Sequence, residues 1–389
     1  MDSDSVLFSI FLIFTGASLL ATVALYARQA LLIAYIIVGL ALGPWGLKLV
    51  TDASLIQDMA RVGIIFLLFL LGLNLYPQKL LQLLRETTLI TVVSSLGFAA
   101  LGFVIALLAG LKTTDALVVG VANMFSSTIL GLKLLPTTVL HHRHAGEVII
   151  SVLLLQDVLA ILVLLALHGV QKGQFHILDM AAPFVALPAL ATFAYVAARF
   201  VLLRLFQKFD RIQEYIFLVA IGWCLGIGVL AEVVGLSHEI GAFVAGVAIA
   251  TNPIARFIAE SLKPLRDFFL VMFFFALGAG FDLSVLPSII FPALLLTVGV
   301  LALKPIIFKL LLVRTHETER FSWEIGFRLG QMSEFSLLIA LVALDAELIA
   351  DNAAYLIQAA TLLTFIGSSY LIVLRYPTPI AVSDRLRRD

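Results

Sequence analysis

Gln156 and Asp157 stand side by side near the middle of SVLLLQDVLAILVLLAL (Ser151 to Leu167), a run that is otherwise almost wholly aliphatic. An aspartate at the centre of a membrane helix costs on the order of 2.5 to 3.5 kcal/mol on insertion scales. Ionisable groups at that depth therefore belong by default to ion or proton paths. Burial and a nearby ammonium such as Lys304 act on a carboxyl in opposite senses, so Asp157 is expected to be able to hold or release a proton at working pH. A carboxyl in that state holds a proton or a metal cation but not both, and that competition is the simplest form of exchange transport. Gln156 adds a neutral carbonyl ligand, and the hydroxyls of Ser126, Ser127 and Thr128 add more oxygen, a donor set that suits a hard cation.

Further polar groups recur at what should be similar depth. The patch NMFSST (Asn123 to Thr128) is too hydrophilic for a lipid-facing turn and can satisfy an interrupted backbone. Gln331, Ser333 and Glu334 form a second patch, and Lys304 is followed by Pro305, which removes an N–H and frees a carbonyl one turn back.

The elements that must hold these groups are membrane helices. The chain has 389 residues, 62% of them hydrophobic and only 13% charged, so apolar runs of spanning length recur from end to end. Breaks at charge and Pro/Gly clusters divide it into about thirteen spans. The fourth runs from Thr87 to Leu111, the fifth from Asp115 to Leu135, the sixth from Ala145 to Leu167 and the seventh from Met180 to Phe206. The tenth to thirteenth run Leu265 to Phe281, Leu286 to Val313, Trp323 to Leu344 and Ala353 to Leu374. Odd-numbered loops carry most of the Lys and Arg, for example Arg199, Arg204, Lys208 and Arg211, whereas even ones hold little beyond Lys48, Lys112 and Lys172. That alternation predicts the N-terminus outside and the C-terminus in the cytoplasm.

Two pairs of segments share an offset of about 206 residues: Phe66 to Leu75 with Met272 to Phe281, and Gly120 to Leu132 with Gly326 to Leu338, which sets Ser127 against Ser333. The fold expected is therefore an all-α polytopic membrane protein in which spans 1 to 6 repeat as 8 to 13 with inverted topology. The two polar patches fall at matching places, which predicts paired discontinuous helices in spans 5 and 12.

Neutral formal net charge argues against nucleic acid as a partner, and the one cysteine, Cys224, forms no intrachain disulfide. The N-terminal run starts acidic and lacks a basic n-region, so it reads as a retained first helix. Lys133 and Arg328 are expected to snorkel towards the inner face. His141, His142 and His144 read as a solvated cytoplasmic loop, and His238 with Glu239 as the capped start of the ninth span. The glycines of GLALG (Gly39 to Gly43) and GWCLG (Gly222 to Gly226) read as packing signals between helices.

The stretches GLALGPWGLKLVTDA, LLFLLGLNLYPQKL, LLLQDVLAI, GLSHEIGAFVAGVAIA, FFFALGAGFDL and LGQMSEFSLLI together resemble the membrane domain of monovalent cation:proton antiporters, in particular the Kef-type potassium:proton branch. The resemblance covers nearly the whole chain in order. It implies a thirteen-helix inverted-repeat fold, a homodimer, and a core that moves against a dimerisation scaffold. It implies that spans 5 and 12 cross, that Asp157 carries cation and proton alternately, and that the Gln-Asp pair marks the potassium branch. A residue matching Lys304 pairs with the core acid in several relatives. On this basis residues 1–84 and 213–285 are expected to be scaffold, 85–170 and 286–376 core, 171–212 the connector and 377–389 a cytoplasmic tail. After the last span there is no strand leading into G-x-G-x-x-G, so no regulatory nucleotide-binding domain is expected in this chain. SHEIGAF carries charge where relatives are often uncharged.

The function expected is secondary exchange of a monovalent cation, potassium foremost, for protons in a bacterial inner membrane, electroneutral because one deep acid faces a neutral Gln. Asp157, Gln156, Ser126, Ser127 and Thr128 are the expected ion and proton ligands, with Lys304, Glu334, Ser333, Gln331 and Asn123 as ion-pair or helix-crossing support. No enzyme activity, cofactor or resident metal is expected. The alternatives are a sodium:proton antiporter, a cation-coupled symporter on the same fold, and a non-transporting sensor. An intramembrane aspartyl protease, with GAGFD (Gly278 to Asp282) as its signature, is disfavoured because Asp282 falls at the end of a span and Asp157 at the centre of one.

Overall fold

The computed structural model describes residues 6–27, 29, 31–50, 53–74, 77–134, 144–171, 177–209 and 211–378, and no β-strand is found among them. Helix is the outcome the composition dictates, because in hydrocarbon each backbone N–H and C=O must be satisfied within its own segment. The helices are α1 (Val6–Tyr26), α2 (Leu31–Leu42), α3 (Ala53–Asn74), α4 (Pro77–Leu108), α5 (Thr113–Ala122), α6 (Thr128–Lys133), α7 (His144–Gln171) and α8 (Ile177–Ala197). A π-helical turn, Ala198–Leu202, joins α8 to α9 (Leu203–Lys208). Then come α10 (Gln213–Val233), α11 (His238–Ile249), α12 (Ile254–Ala279), α13 (Leu286–Arg314), α14 (Glu319–Arg328), α15 (Glu334–Asp345) and α16 (Asp351–Arg375).

Seven segments of the described residues are long and apolar enough to cross a membrane: α1, Thr87–Leu108 of α4, His144–Leu167 of α7, Val185–Lys208 across the π turn, α10, α13 and α16. Two helices start well before the apolar runs that announce them. α4 begins at Pro77 rather than Thr87, and α12 at Ile254 rather than Leu265. Hydropathy registers only the apolar part of a helix, and the charged stretches QKLLQLLRE and ARFIAESLK are good helix formers in their own right.

The chain divides into two compact units. One comprises Met1–Ser18, Tyr35–Leu81 and Leu165–Gly280. Within it α3 packs against α11 and α12, and α10 against α11. Glycine makes these approaches possible. A Cβ added at Gly72 would lie 2.4 Å from the Phe243 carbonyl oxygen, and one at Gly39 would lie 2.1 Å from that of Phe275, so α2 rests directly on the backbone of α12. The glycines of GWCLG behave differently, since a Cβ at Gly222 or Gly226 would meet nothing within 4 Å.

The other unit comprises Leu19–Ala34, Gln82–Leu164 and Phe281–Asp389. Here α13 lies against α14 and α16, and α15 against α16 and α5. One apolar cluster joins Phe98 of α4, Ile149 and Val152 of α7, Phe308 of α13 and Leu329 after α14, with Phe98 and Phe308 meeting edge to face at 5.2 Å. Gly110 after α4 and His316 after α13, 206 residues apart, both adopt a left-handed backbone, with φ of 83° and 66°. Their spacing equals the offset between the paired segments of the sequence.

Candidate functional site

Neither the fifth nor the twelfth span is a continuous helix. α5 stops at Ala122 and α6 starts at Thr128, and α14 stops at Arg328 and α15 starts at Glu334. Helix ends carry backbone groups without intrahelical partners, and in apolar surroundings each must be matched. Side chains singled out in the sequence supply those matches. At the first break, Gln156 Oε1 accepts from the Ser126 N–H at 3.0 Å and its Nε2 donates to the Met124 carbonyl at 3.3 Å. Ser127 Oγ accepts from the Leu130 N–H at 3.0 Å, and Asn123 Nδ2 donates to the Phe98 carbonyl at 2.8 Å. At the second break, Ser333 Oγ accepts from the Phe335 N–H at 3.1 Å while Ser336 Oγ accepts from the Ser333 N–H at 3.2 Å, a reciprocal capping box for α15.

The two breaks touch. Ser126 Oγ donates to the Leu329 carbonyl at 2.7 Å, Ser336 Oγ to the Ala122 carbonyl at 2.6 Å, and Gln331 Nε2 to the Ser127 carbonyl at 3.4 Å. Lys304, fully buried on α13, closes the junction: its Nζ donates to the Phe125 carbonyl at 2.8 Å and the Gln331 carbonyl at 3.1 Å, and lies 4.7 Å from the centre of the Phe98 ring. Phe125 and Gln331 are 206 residues apart. So are Ser126 and Met332, whose N–H groups are taken by Gln156 and by Thr364 Oγ1 at 3.1 Å.

Asp157, 1% exposed, faces this junction from α7. The Thr128 hydroxyl lies 3.2 Å from each of its carboxylate oxygens. Glu334, buried as the first residue of α15, where a helix start favours an acid, lies close enough for its charge to bear on Asp157. The ammonium of Lys304 is placed otherwise than an ion pair with Asp157 requires. No such pair forms among the described residues; the ammonium donates instead to the two freed carbonyls.

Arg328 does not snorkel. It is 1% exposed, pairs with Glu324 at 2.9 Å, and donates to the carbonyls of Leu134 at 3.0 Å and Pro377 at 2.9 Å. The carbonyls just after α6 and just after α16 give it partners inside the protein, so it need not reach for water. The side chain of Lys133 and all of His141 and His142 lie outside the described residues. His144 contacts Glu317 at 2.7 Å. The N-cap of α11 is Ser237, with Glu239 in the first turn.

The sequence reading missed the hydroxyls of α16. Besides Thr364, Ser368 Oγ donates to Gln331 Oε1 at 3.0 Å, and Thr361 Oγ1 lies 3.8 Å from Met332 Sδ. The signal was present in TLLTFIGSS, where residues 361, 364 and 368 share one helical face.

Comparison with known proteins adds three findings. A family model described as sodium/hydrogen exchanger, transmembrane, matches residues 10–375. Glutathione-regulated potassium-efflux system proteins KefC are similar: that of Klebsiella pneumoniae (strain 342) is 28% identical over 382 residues, and that of Cronobacter sakazakii 31% over 396. Each alignment covers 96% of this chain and 61% of the relative, so the chain spans about three fifths of the length of those proteins. The sodium proton antiporter MjNhaP1 from Methanocaldococcus jannaschii has a similar fold, with a TM-score of 0.71 over 93% of this chain and 94% of that one, at 16% identity.

Proposed function

The chain belongs to the transmembrane sodium/hydrogen exchanger family, and from that premise we propose that it exchanges a monovalent cation, potassium foremost, for protons. One observation carries the reading. Asp157 is a buried carboxyl whose hydrogen-bonding partner among the described residues is a neutral hydroxyl, at the place where two interrupted helices meet. A carboxyl so placed has no fixed counter-ion among the described residues, so a proton or a desolvated cation satisfies it in turn. Oxygens of Thr128 and of the breaks complete a hard-cation environment. Gln156, both of whose amide atoms bind the first break, acts by holding that break in place, and Oε1 keeps a second lone pair for a cation. Lys304 ties the two breaks together. One carboxyl serving one proton or one monovalent cation makes the exchange electroneutral.

Potassium is preferred on the Gln156-Asp157 pair and on the relatives named for potassium efflux. The wider architecture belongs to the same reading: thirteen crossings of a bacterial inner membrane, an inverted repeat supported by the 206-residue pairings of Lys304 and of the two bound N–H groups, the cation carried by the second unit as a moving core, and homodimeric assembly as in the family it resembles. The test is a proteoliposome assay with a pH-reporting dye and an imposed proton gradient. Potassium, sodium or lithium is added to wild type and to Asp157→Asn. Dequenching by a cation, lost in the variant, supports exchange at Asp157, and the order of apparent affinities names the ion. Silence of folded wild type with every cation overturns the antiporter reading in favour of a symporter or a sensor.

A further inference from the structure

The two breaks are served unequally. At the first, one helix supplies both the side chain that holds the backbone and the acid beside it: Gln156 takes the Ser126 N–H, and Asp157 is the next residue. At the second, the helix at the corresponding place in the proposed repeat is α16, which supplies hydroxyls beside the break and no acid there. Thr364 takes the Met332 N–H, and Ser368 holds the Gln331 side chain. Both hydroxyls are essentially excluded from solvent. α16 therefore has the holding function of α7 without its titratable group.

Two short lines of contacts run from this helix to Asp157. Thr364 fixes the Met332 peptide, the residue before the Ser333 cap of α15, whose first residue, Glu334, bears on Asp157 by charge. Ser368 holds Gln331 Oε1, Gln331 Nε2 reaches the Ser127 carbonyl, and the neighbouring Thr128 binds both oxygens of Asp157. In each line the hydroxyl acts on peptide and side-chain placement, several ångströms of covalent structure away from the ion.

We propose that Thr364 and Ser368 of α16 are positioning residues that set the apparent cation affinity of the exchanger by holding the second break in register with Asp157. This rests on the antiporter reading above. Thr364 donates onward to the Thr361 carbonyl, so a valine there keeps shape and volume while leaving the Met332 N–H buried without an acceptor. A serine keeps the acceptor.

The experiment compares wild type, Thr364→Val, Thr364→Ser and Ser368→Ala in the vesicle assay. It reads the cation concentration at half-maximal dequenching and the maximal rate separately, and thermal stability of each protein in detergent. A buried donor left without an acceptor corresponds to a change of about tenfold in an equilibrium it opposes. The expected result is a half-maximal cation concentration raised about tenfold in Thr364→Val and at least about threefold in Ser368→Ala, with maximal rate within about twofold, and with Thr364→Ser close to wild type. Unchanged affinity in folded Thr364→Val, or an equal loss in Thr364→Ser, overturns the proposal. If Thr364→Val does not fold, an unchanged Ser368→Ala overturns it alone. Wild type that exchanges nothing overturns the antiporter reading instead, so the two failures are told apart by the first lane.

Discussion

At the scale of single residues, the proposed site leaves Asp157 with a weak partner and gives Lys304 strong ones. Thr128 can donate one proton to a carboxylate and cannot neutralise it, whereas Lys304 spends its ammonium on two backbone carbonyls. Competition at Asp157 fixes the sign of the pH dependence. In the proposed mechanism protons and cations share this carboxyl, so acidification fills it with protons and raises the half-maximal cation concentration. Well on the acid side of the carboxyl's titration the rise approaches about tenfold per pH unit, the limit for one proton. A set of cation titrations from pH 6 to 9 checks this, and a pH-independent half-maximal concentration would sink the shared-site mechanism. Lys304 makes a separable prediction. Lys304→Met strands the Phe125 and Gln331 carbonyls but also relieves a buried ammonium, for a net loss of about 2 kcal/mol. Thermal unfolding in detergent should show that loss in Lys304→Met and not in Asp157→Asn, which removes no backbone partner.

At the scale of elements, helix contacts depend on backbone proximity that only glycine allows, and this separates two motifs of the same spelling. Gly39 of GLALG lies where a side chain would collide with the Phe275 carbonyl, and Gly222 of GWCLG faces open space. Gly39→Val should cost about 3 kcal/mol or more by forcing α2 from α12, while Gly222→Ala should stay within about 0.5 kcal/mol, as for a surface position. Fluorescence-detected thermal unfolding distinguishes them, and equal effects would show that α2 does not rest on α12 as described. The pair also marks the limit of the sequence. Hydropathy reveals which runs are helical, and the patches at Asn123 to Thr128 and at Gln331 to Glu334 reveal where two of them break. It cannot tell a packed glycine from an exposed one, nor foresee that the Lys304 ammonium goes to carbonyls, because both depend on which backbone lies opposite. Thr364 and Ser368 escaped attention for a related reason: hydroxyls scarcely alter hydropathy, and their importance comes from partners near residue 332.

At the scale of the whole molecule, the proposed inverted repeat makes a prediction that does not involve transport. Gly110 and His316 lie in turns 206 residues apart, each left-handed, each following a long helix, and the proposed repeat makes them equivalent. If the repeats are inverted, these equivalent turns lie on opposite sides of the membrane. The Lys and Arg content of the loops assigns the sides, with the turn containing Lys112 outside and the one containing His316 inside, and Glu347, in an acidic loop, outside. The chain suits the test because Cys224 is its one cysteine and is buried. In a Cys224→Ala background, Lys112→Cys and Glu347→Cys should react in intact cells with a membrane-impermeant maleimide, and His316→Cys only after the membrane is opened. Labelling of residues 112 and 316 from the same side would rule out inversion while leaving the local geometry of both breaks intact. The opposite assignment of all three would preserve inversion and reverse the proposed orientation of the termini.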